Sequence, residues 1–196
     1  MFVQIIQGHV KDADLLLGQS EKWRTEIKPG AVGYLGATGG VTPDGIGITI
    51  VRFDSEASAQ ANSERPEQSA WWEATAPAFD GDVTFANCTD VDLMFGGGAD
   101  HAGFVQIIQG RATDPAAMRE LGRAMEDDLR AMRSDLLGGL VAWHGDREFT
   151  QVVYFSSEDD ARKGESTMEE NPRSAEWASM FDGPPRFLDL PHPDID

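Results

Sequence analysis

The chain is poor in cysteine, in basic residues and in long apolar runs, and each shortage removes a class of protein. Cys88 is the single cysteine among 196 residues, so no intrachain disulfide can form and a reducing, cytoplasmic setting is expected. No window approaches the roughly 18 consecutive apolar residues that a membrane-spanning helix needs. The opening MFVQIIQGHV lacks the basic start and long apolar core of a secretory leader, and none is expected. Lys and Arg number 16 against 34 Asp and Glu, for a net charge of −18. Such a surface repels phosphate at long range, which argues against nucleic acid and anionic membranes as partners. Signature motifs are missing as well: there is no HExxH, CxxC, GxSxG or P-loop sequence. The glycine-rich run from Gly33 to Gly39 reads as strand and hairpin, not as a phosphate-binding turn into a helix.

What the chain does have is an internal repeat. Phe2-Val3-Gln4-Ile5-Ile6-Gln7-Gly8 recurs letter for letter as Phe104-Val105-Gln106-Ile107-Ile108-Gln109-Gly110, an offset of 102. The same offset carries Asp12 to Asp114, Leu35-Gly36 to Leu137-Gly138, Ser55-Glu56 to Ser157-Glu158 and Phe79-Asp80-Gly81 to Phe181-Asp182-Gly183. The chain therefore reads as one domain over residues 1–95, a Gly-rich linker over 96–102 and a second domain over 103–196. Residues 1–102 carry 6 basic and 15 acidic groups and residues 103–196 carry 10 and 19, so each half has a charge of −9.

Each copy shows the same order of elements. Residues 2–7 read as a buried strand, and Asp12 and Asp114 as N-caps, the second followed by Pro115 at the first helical position. Met118, Leu121, Met125 and Leu129 recur at helical spacing, as do Leu16, Trp23 and Ile27, and Pro29-Gly30 stops the first helix. Strands follow over 34–38 and 46–53, and over 139–143 and 148–155. Ser55 and Ser157 cap a further helix, and Phe85 and Phe187 sit in a last strand. The order β-α-β-β-α-β is ferredoxin-like. Because the first strand is apolar on both faces, the sheet face without helices needs cover. The expected fold is α+β: two tandem ferredoxin-like (βαββαβ) halves packed as an intrachain dimeric α/β barrel. A monomer whose halves form a pseudo-dimer is expected.

The FVQIIQG strand, Asn62-Ser63-Glu64-Arg65-Pro66-Glu67-Gln68 leading into Trp71-Trp72, and Phe79-Asp80-Gly81 together resemble the antibiotic biosynthesis monooxygenase-like (ABM) family of the dimeric α/β barrel superfamily. Glu170-Asn171-Pro172, Trp177 and Phe181-Asp182-Gly183 extend the likeness through the second copy. The resemblance implies a cofactor-independent monooxygenase, with no metal, acting on a small aromatic or polyketide-like substrate. It places Asn62 and Trp71 or Trp72 beside the substrate, with Asn62 and Trp72 as the expected catalytic residues and Trp71 as a substrate-binding one. Gln4, an amide on the buried first strand, and Tyr34, which becomes Leu136 in the second copy, are further substrate-binding candidates, and the divergence between the copies points to the first half as the half that keeps the site. Heme-degrading relatives place a histidine beyond the helix tryptophan, where Phe79-Asp80-Gly81-Asp82 stands here. The alternative is a non-catalytic small-molecule-binding or structural barrel, since a fold does not choose its chemistry.

The residues themselves leave other readings open. Gln4 and Gln106 either line a ligand cavity or pair with other polar groups at a strand end or between halves. Trp71 and Trp72 cannot face the same way on a helix, so one is expected in the core. His144, Asp146 and Glu148 alternate, but Gly145 suggests a solvated turn, and no metal is expected there. Cys88 has no basic neighbour and reads as structural.

Overall fold

The carboxylate of Asp12 accepts from Leu15 N at 2.9 Å and that of Asp114 from Ala116 N and Ala117 N at 2.9 and 3.2 Å, so the same cap starts the long helix of each copy. The computed structural model describes residues 1–169 and 172–196, which leaves Glu170-Asn171 outside the described residues. In chain order the elements are β1 (Phe2–Val10), α1 (Ala13–Lys22), β2 (Tyr34–Val41), β3 (Ile46–Phe53), α2 (Glu56–Ser63), α3 (Pro66–Thr75), β4 (Phe79–Cys88) and β5 (Asp90–Met94). Then come β6 (Phe104–Arg111), α4 (Pro115–Met132), β7 (Leu136–His144), β8 (Glu148–Phe155), α5 (Glu158–Glu169), α6 (Pro172–Ser179), β9 (Arg186–Leu190) and β10 (Asp194–Ile195). Among the described residues no helix is long and apolar enough to cross a membrane.

Strand register carries the duplication into three dimensions. Phe2 faces Phe53 as Phe104 faces Phe155, and a bulge falls between Tyr34 and Gly36 as it does between Leu136 and Gly138. The core orders β2-β3-β1-β4 and β7-β8-β6-β9 are the ferredoxin-like arrangement, so the α+β class and the tandem halves are as expected. Each sheet nevertheless has five strands. β5 joins the edge of β7, and β10 joins the edge of β2, so the compact units are Met1–Thr89 with Asp194–Asp196, and Asp90–Pro193. The boundaries expected at 95 and 103 differ from these by one strand at each end. An exposed edge strand offers unpaired N–H and C=O groups to any extended segment within reach, and the short segment that ends each copy fills that position. In the Gly-rich stretch, Gly97 and Ala99 are buried and Gly97 N donates to Met94 O at 2.9 Å.

In the first unit Phe2, Phe53 and Ala59 form one cluster and Val10, Ala78 and Phe79 another, both on the helix-bearing face of the sheet. Val3, Ile5, Ile48 and Ile50 on the opposite face are buried too. The second unit repeats this with Phe104, Val153, Phe155 and Ala161, and with Ala112, Met118, Trp143 and Phe149. Cys88 lies at the end of β4, where burial pushes its thiol up to about 11, well away from the thiolate range in which cysteine reacts.

Acidic residues hold β10 in place. Tyr34 Oη donates to Asp196 Oδ2 at 2.9 Å, and Lys28 and Arg24 pair with Asp196 and Asp194. Burial pushes the Asp196 carboxyl up, but hydrogen bonds from Lys28 and Tyr34 outweigh it and hold the group below its ordinary value. A carboxyl whose pKa falls on folding adds stability that is complete above the ordinary carboxylate range and is lost as pH drops through the lowered value. The tail strand is therefore expected to stay docked at neutral pH and to release on acidification below that range. Hydrogen exchange at Ala37 N, which donates to Asp196 O at 2.9 Å, should quicken there; unchanged protection would show that the ion pairs do not hold the tail.

Candidate functional site

The second unit contains a cavity of about 710 Å³ between α4 and the sheet. That volume lies within the range of pockets that hold small organic ligands, roughly 300–1,000 Å³. Met118, Gly122, Met125 and Leu129 bring one face of α4 to it, the stripe that the helical spacing predicts except that Gly122 stands in for Leu121. Ile108, Val141, Gln151, Val153 and Phe155 form the sheet floor, and Trp143 and Trp177 stand at the sides. A Cβ on Gly122 would meet nothing within 4 Å, so the cavity is open there. Three methionines, Met94, Met118 and Met125, give part of the wall a polarizable surface that adapts to ligand shape.

β5 completes this wall. Asp92 accepts from Trp143 Nε1 at 2.8 Å and from Arg119 Nε at 2.7 Å, and the Arg119 guanidinium stacks 4.6 Å from the Trp143 ring centre. Arg162 pairs with Glu158, Glu165 and Asp189. Burial works against the Arg162 charge, but the hydrogen bonds it donates to Asp189 and Glu165 outweigh burial and hold its pKa above the ordinary value. Arg133, 7% exposed, forms a two-pronged bond to Asp135 at 2.9 and 2.7 Å. Its guanidinium lies 2.1 Å from where a Cβ on residue 164 would be, so a side chain at Gly164 would displace it. Gln106 Nε2 donates to Glu165 and Asp189, both at 3.1 Å, so this cavity-lining amide is engaged. Gln151 is different: Nε2 reaches Met94 Sδ at 3.2 Å, and Oε1 is buried with no hydrogen-bond partner among the described residues.

None of the five residues singled out in the first half lines this cavity. Four of them join a single network in the first unit. Tyr34 packs on Trp23 with ring centres 5.0 Å apart, Trp23 on Trp71 at 6.4 Å, and Trp71 on Trp72 at 6.2 Å. Trp72 ends the series against Phe85 and Phe79 at 5.2 and 6.3 Å. Trp71 Nε1 donates to Gln19 O at 2.8 Å. Asn62, 7% exposed, donates to Gln68, which also accepts from Trp23 Nε1, and accepts from Arg65. Gln4 stands apart and donates to Asn87 Oδ1 at 2.9 Å.

The two copies explain each other. At the repeat offset of 102, Trp23 becomes Met125 and Tyr34 becomes Leu136, both on the cavity wall. The ring pair of the first unit is missing from the second, and open volume takes its place. Thr49 becomes Gln151 at the same offset, which brings the unpaired amide to the floor of that space. The His144 and Glu148 side chains turn to Thr150 and Arg111, at 3.1 and 2.8 Å. Among the described residues no group of three or more His, Cys, Asp and Glu side chains is arranged to hold a metal ion.

Fold and cavity define an α+β protein with two ferredoxin-like units, the second of which holds a small-molecule-sized cavity. No protein-family model matches the chain, and no curated protein matches it in sequence. Solved structures match over its whole length. A protein of Fusobacterium nucleatum, provisionally described as a monooxygenase, aligns over 100% of this chain and 93% of its own at 10% identity and a TM-score of 0.77. An anthrone oxidase-like protein aligns over 99% and 93% at 10% identity and a TM-score of 0.63. A ferredoxin-fold protein of Listeria monocytogenes, related to antibiotic biosynthesis monooxygenases, aligns over 96% and 92% at 9% identity and a TM-score of 0.51. At such identities the likeness is one of fold.

Proposed function

We propose that the protein is a cofactor-independent monooxygenase of a small aromatic or polyketide-like compound, bound in the cavity of the second unit. The observation that carries this reading is the apolar cavity of about 710 Å³ with an unpaired amide on its floor. Aromatic and methionine walls suit a flat ring system, and a shaped, largely apolar site positions an electron-rich substrate for reaction with oxygen. Oxidation of an anthrone-type methylene to a ketone with loss of water needs no external reductant, because the substrate supplies every electron that the oxygen molecule takes up. The protein then contributes positioning and electrostatics. This reading places the chemistry in the second unit, not at Asn62 and Trp72, and the anthrone oxidase-like neighbour suggests the first substrates to try.

One observation favours a second reading, a binding protein without turnover. Among the described residues the carboxylates on the cavity wall are already engaged: Asp92 by Arg119 and Trp143, Glu165 and Asp189 by Arg162 and Gln106, and Glu126 by Arg130 and Phe95 N. None is a free general base for a phenolic proton. Oxygen uptake over a panel of anthrones and hydroxyquinones separates the two. Uptake is expected, and Trp72→Phe in the first unit should leave it in place. Saturable binding with no uptake across the panel would overturn the oxygenase reading and leave the binding one.

A further inference from the structure

We infer that the ligand of this cavity is an aromatic hydroxy acid, its hydroxyl held by Gln151 and its carboxylate by Arg123. The inference rests on the reading of the cavity as the binding site, and it names the chemistry of the occupant.

Gln151 lies in the middle of β8 and is 5% exposed. Its neighbours across the sheet are Ile108 on β6 and Val141 on β7, both apolar and both on the cavity floor. A buried amide oxygen left without a donor costs about 1–3 kcal/mol. An apolar side chain of similar shape would avoid that cost, and the other copy has threonine at this position. A polar group that breaks the local pattern without an internal partner marks a place where a ligand completes it. Turning the amide over would exchange an unpaired acceptor for an unpaired donor. A hydroxyl satisfies either, because it both donates and accepts.

Arg123 supplies the second anchor. Among the described residues four arginines line the cavity, and three are neutralised: Arg119 by Asp90 and Asp92, Arg133 by Asp135, and Arg162 by Asp189 and Glu165. Arg123 lies on α4 beside Gly122, is exposed, and has no hydrogen-bond or ion-pair partner among the described residues. In a chain of net charge −18, an arginine without a carboxylate at the mouth of an apolar cavity is a local attraction for an anion that the rest of the surface repels. Its guanidinium fork fits a carboxylate. A buried hydroxyl site on the sheet and an exposed cation on the helix together select a ring with polar groups at separate ends.

Calorimetric titration of the full chain with 6-hydroxy-2-naphthoic acid, 2-naphthol and 2-naphthoic acid tests this. The hydroxy acid is expected to bind about tenfold more tightly than either compound that lacks one group. Arg123→Gln should remove its advantage over 2-naphthol while leaving 2-naphthol unaffected. Gln151→Leu should remove its advantage over 2-naphthoic acid. Equal binding of all three compounds, or an advantage that survives its own substitution, would overturn the inference. Absence of binding by all three would overturn the reading of the cavity, and this inference with it. Binding as expected without oxygen uptake would overturn only the oxygenase reading.

Discussion

Met125→Trp is expected to abolish ligand binding in the second unit while making the protein slightly more stable. The substitution puts at position 125 the residue that the first copy has at Trp23, where an indole fits beside Tyr34 at 5.0 Å. The second copy has the smaller Leu136 opposite, so an indole has at least as much room there. Atoms lining an empty space lack dispersion partners on one side, and filling the space restores them. Cavity-filling changes of this kind commonly add about 0.5–2 kcal/mol. Affinity for naphthalene probes should fall by about a hundredfold or more, since the indole and the ligand would occupy the same volume. Thermal unfolding and calorimetry on the same sample check both halves of the prediction. Retained affinity would place the ligand elsewhere.

The reverse exchange should do the opposite, at a much larger cost. Trp23→Met with Tyr34→Leu is expected to destabilise the first unit by about 4 kcal/mol, in the range of large-to-small changes at packed aromatic sites. It removes the packed ring pair, the donor to Gln68 Oε1 at 2.9 Å and the hydroxyl on Asp196 at 2.9 Å. Gln68 then keeps only the longer bond from Asn62, at 3.4 Å. If these two rings are what closes the first unit, the double variant should also bind additional probe. Denaturant unfolding and binding stoichiometry measure the two effects. A loss under about 1 kcal/mol with unchanged stoichiometry would show that Trp23 and Tyr34 do not act as a plug.

Much of the fold is legible in the amino acids because it depends on local chemistry. Asp12, Asp114, Ser55 and Ser157 accept from backbone N–H groups where the cap positions put them, and the strands over 46–53 and 148–155 run as the alternation predicts. β5 and β10 were not legible. Asp90–Met94 is five residues long and Asp194–Ile195 two, too short for a period, and what orders them is the free edge of a distant strand. The cavity was not legible from the residues singled out in the first half, for a related reason. Adjacent tryptophans draw attention as pocket residues, yet large rings fill space, and the open volume lies where the second copy has lost them. The available signal was the comparison of the copies position by position. Trp23 against Met125, Tyr34 against Leu136 and Thr49 against Gln151 show aromatic bulk leaving one interior and an amide arriving on a buried strand.

The exchanged edge strands determine how the chain can be taken apart. A cut at the Gly-rich stretch would yield two fragments of similar length, neither of them a finished unit. The N-terminal fragment would carry off Asp90–Met94, and with it Asp92, the acceptor for Trp143 and Arg119 on the cavity wall. The C-terminal fragment would keep Asp194–Ile195, the outer strand of the first sheet. The repeats are therefore mutually dependent in covalent order although each has its own core. A fused pair of this kind is free to specialise: one copy can fill its interior for strength while the other stays open for a ligand, which two identical separate subunits could not do.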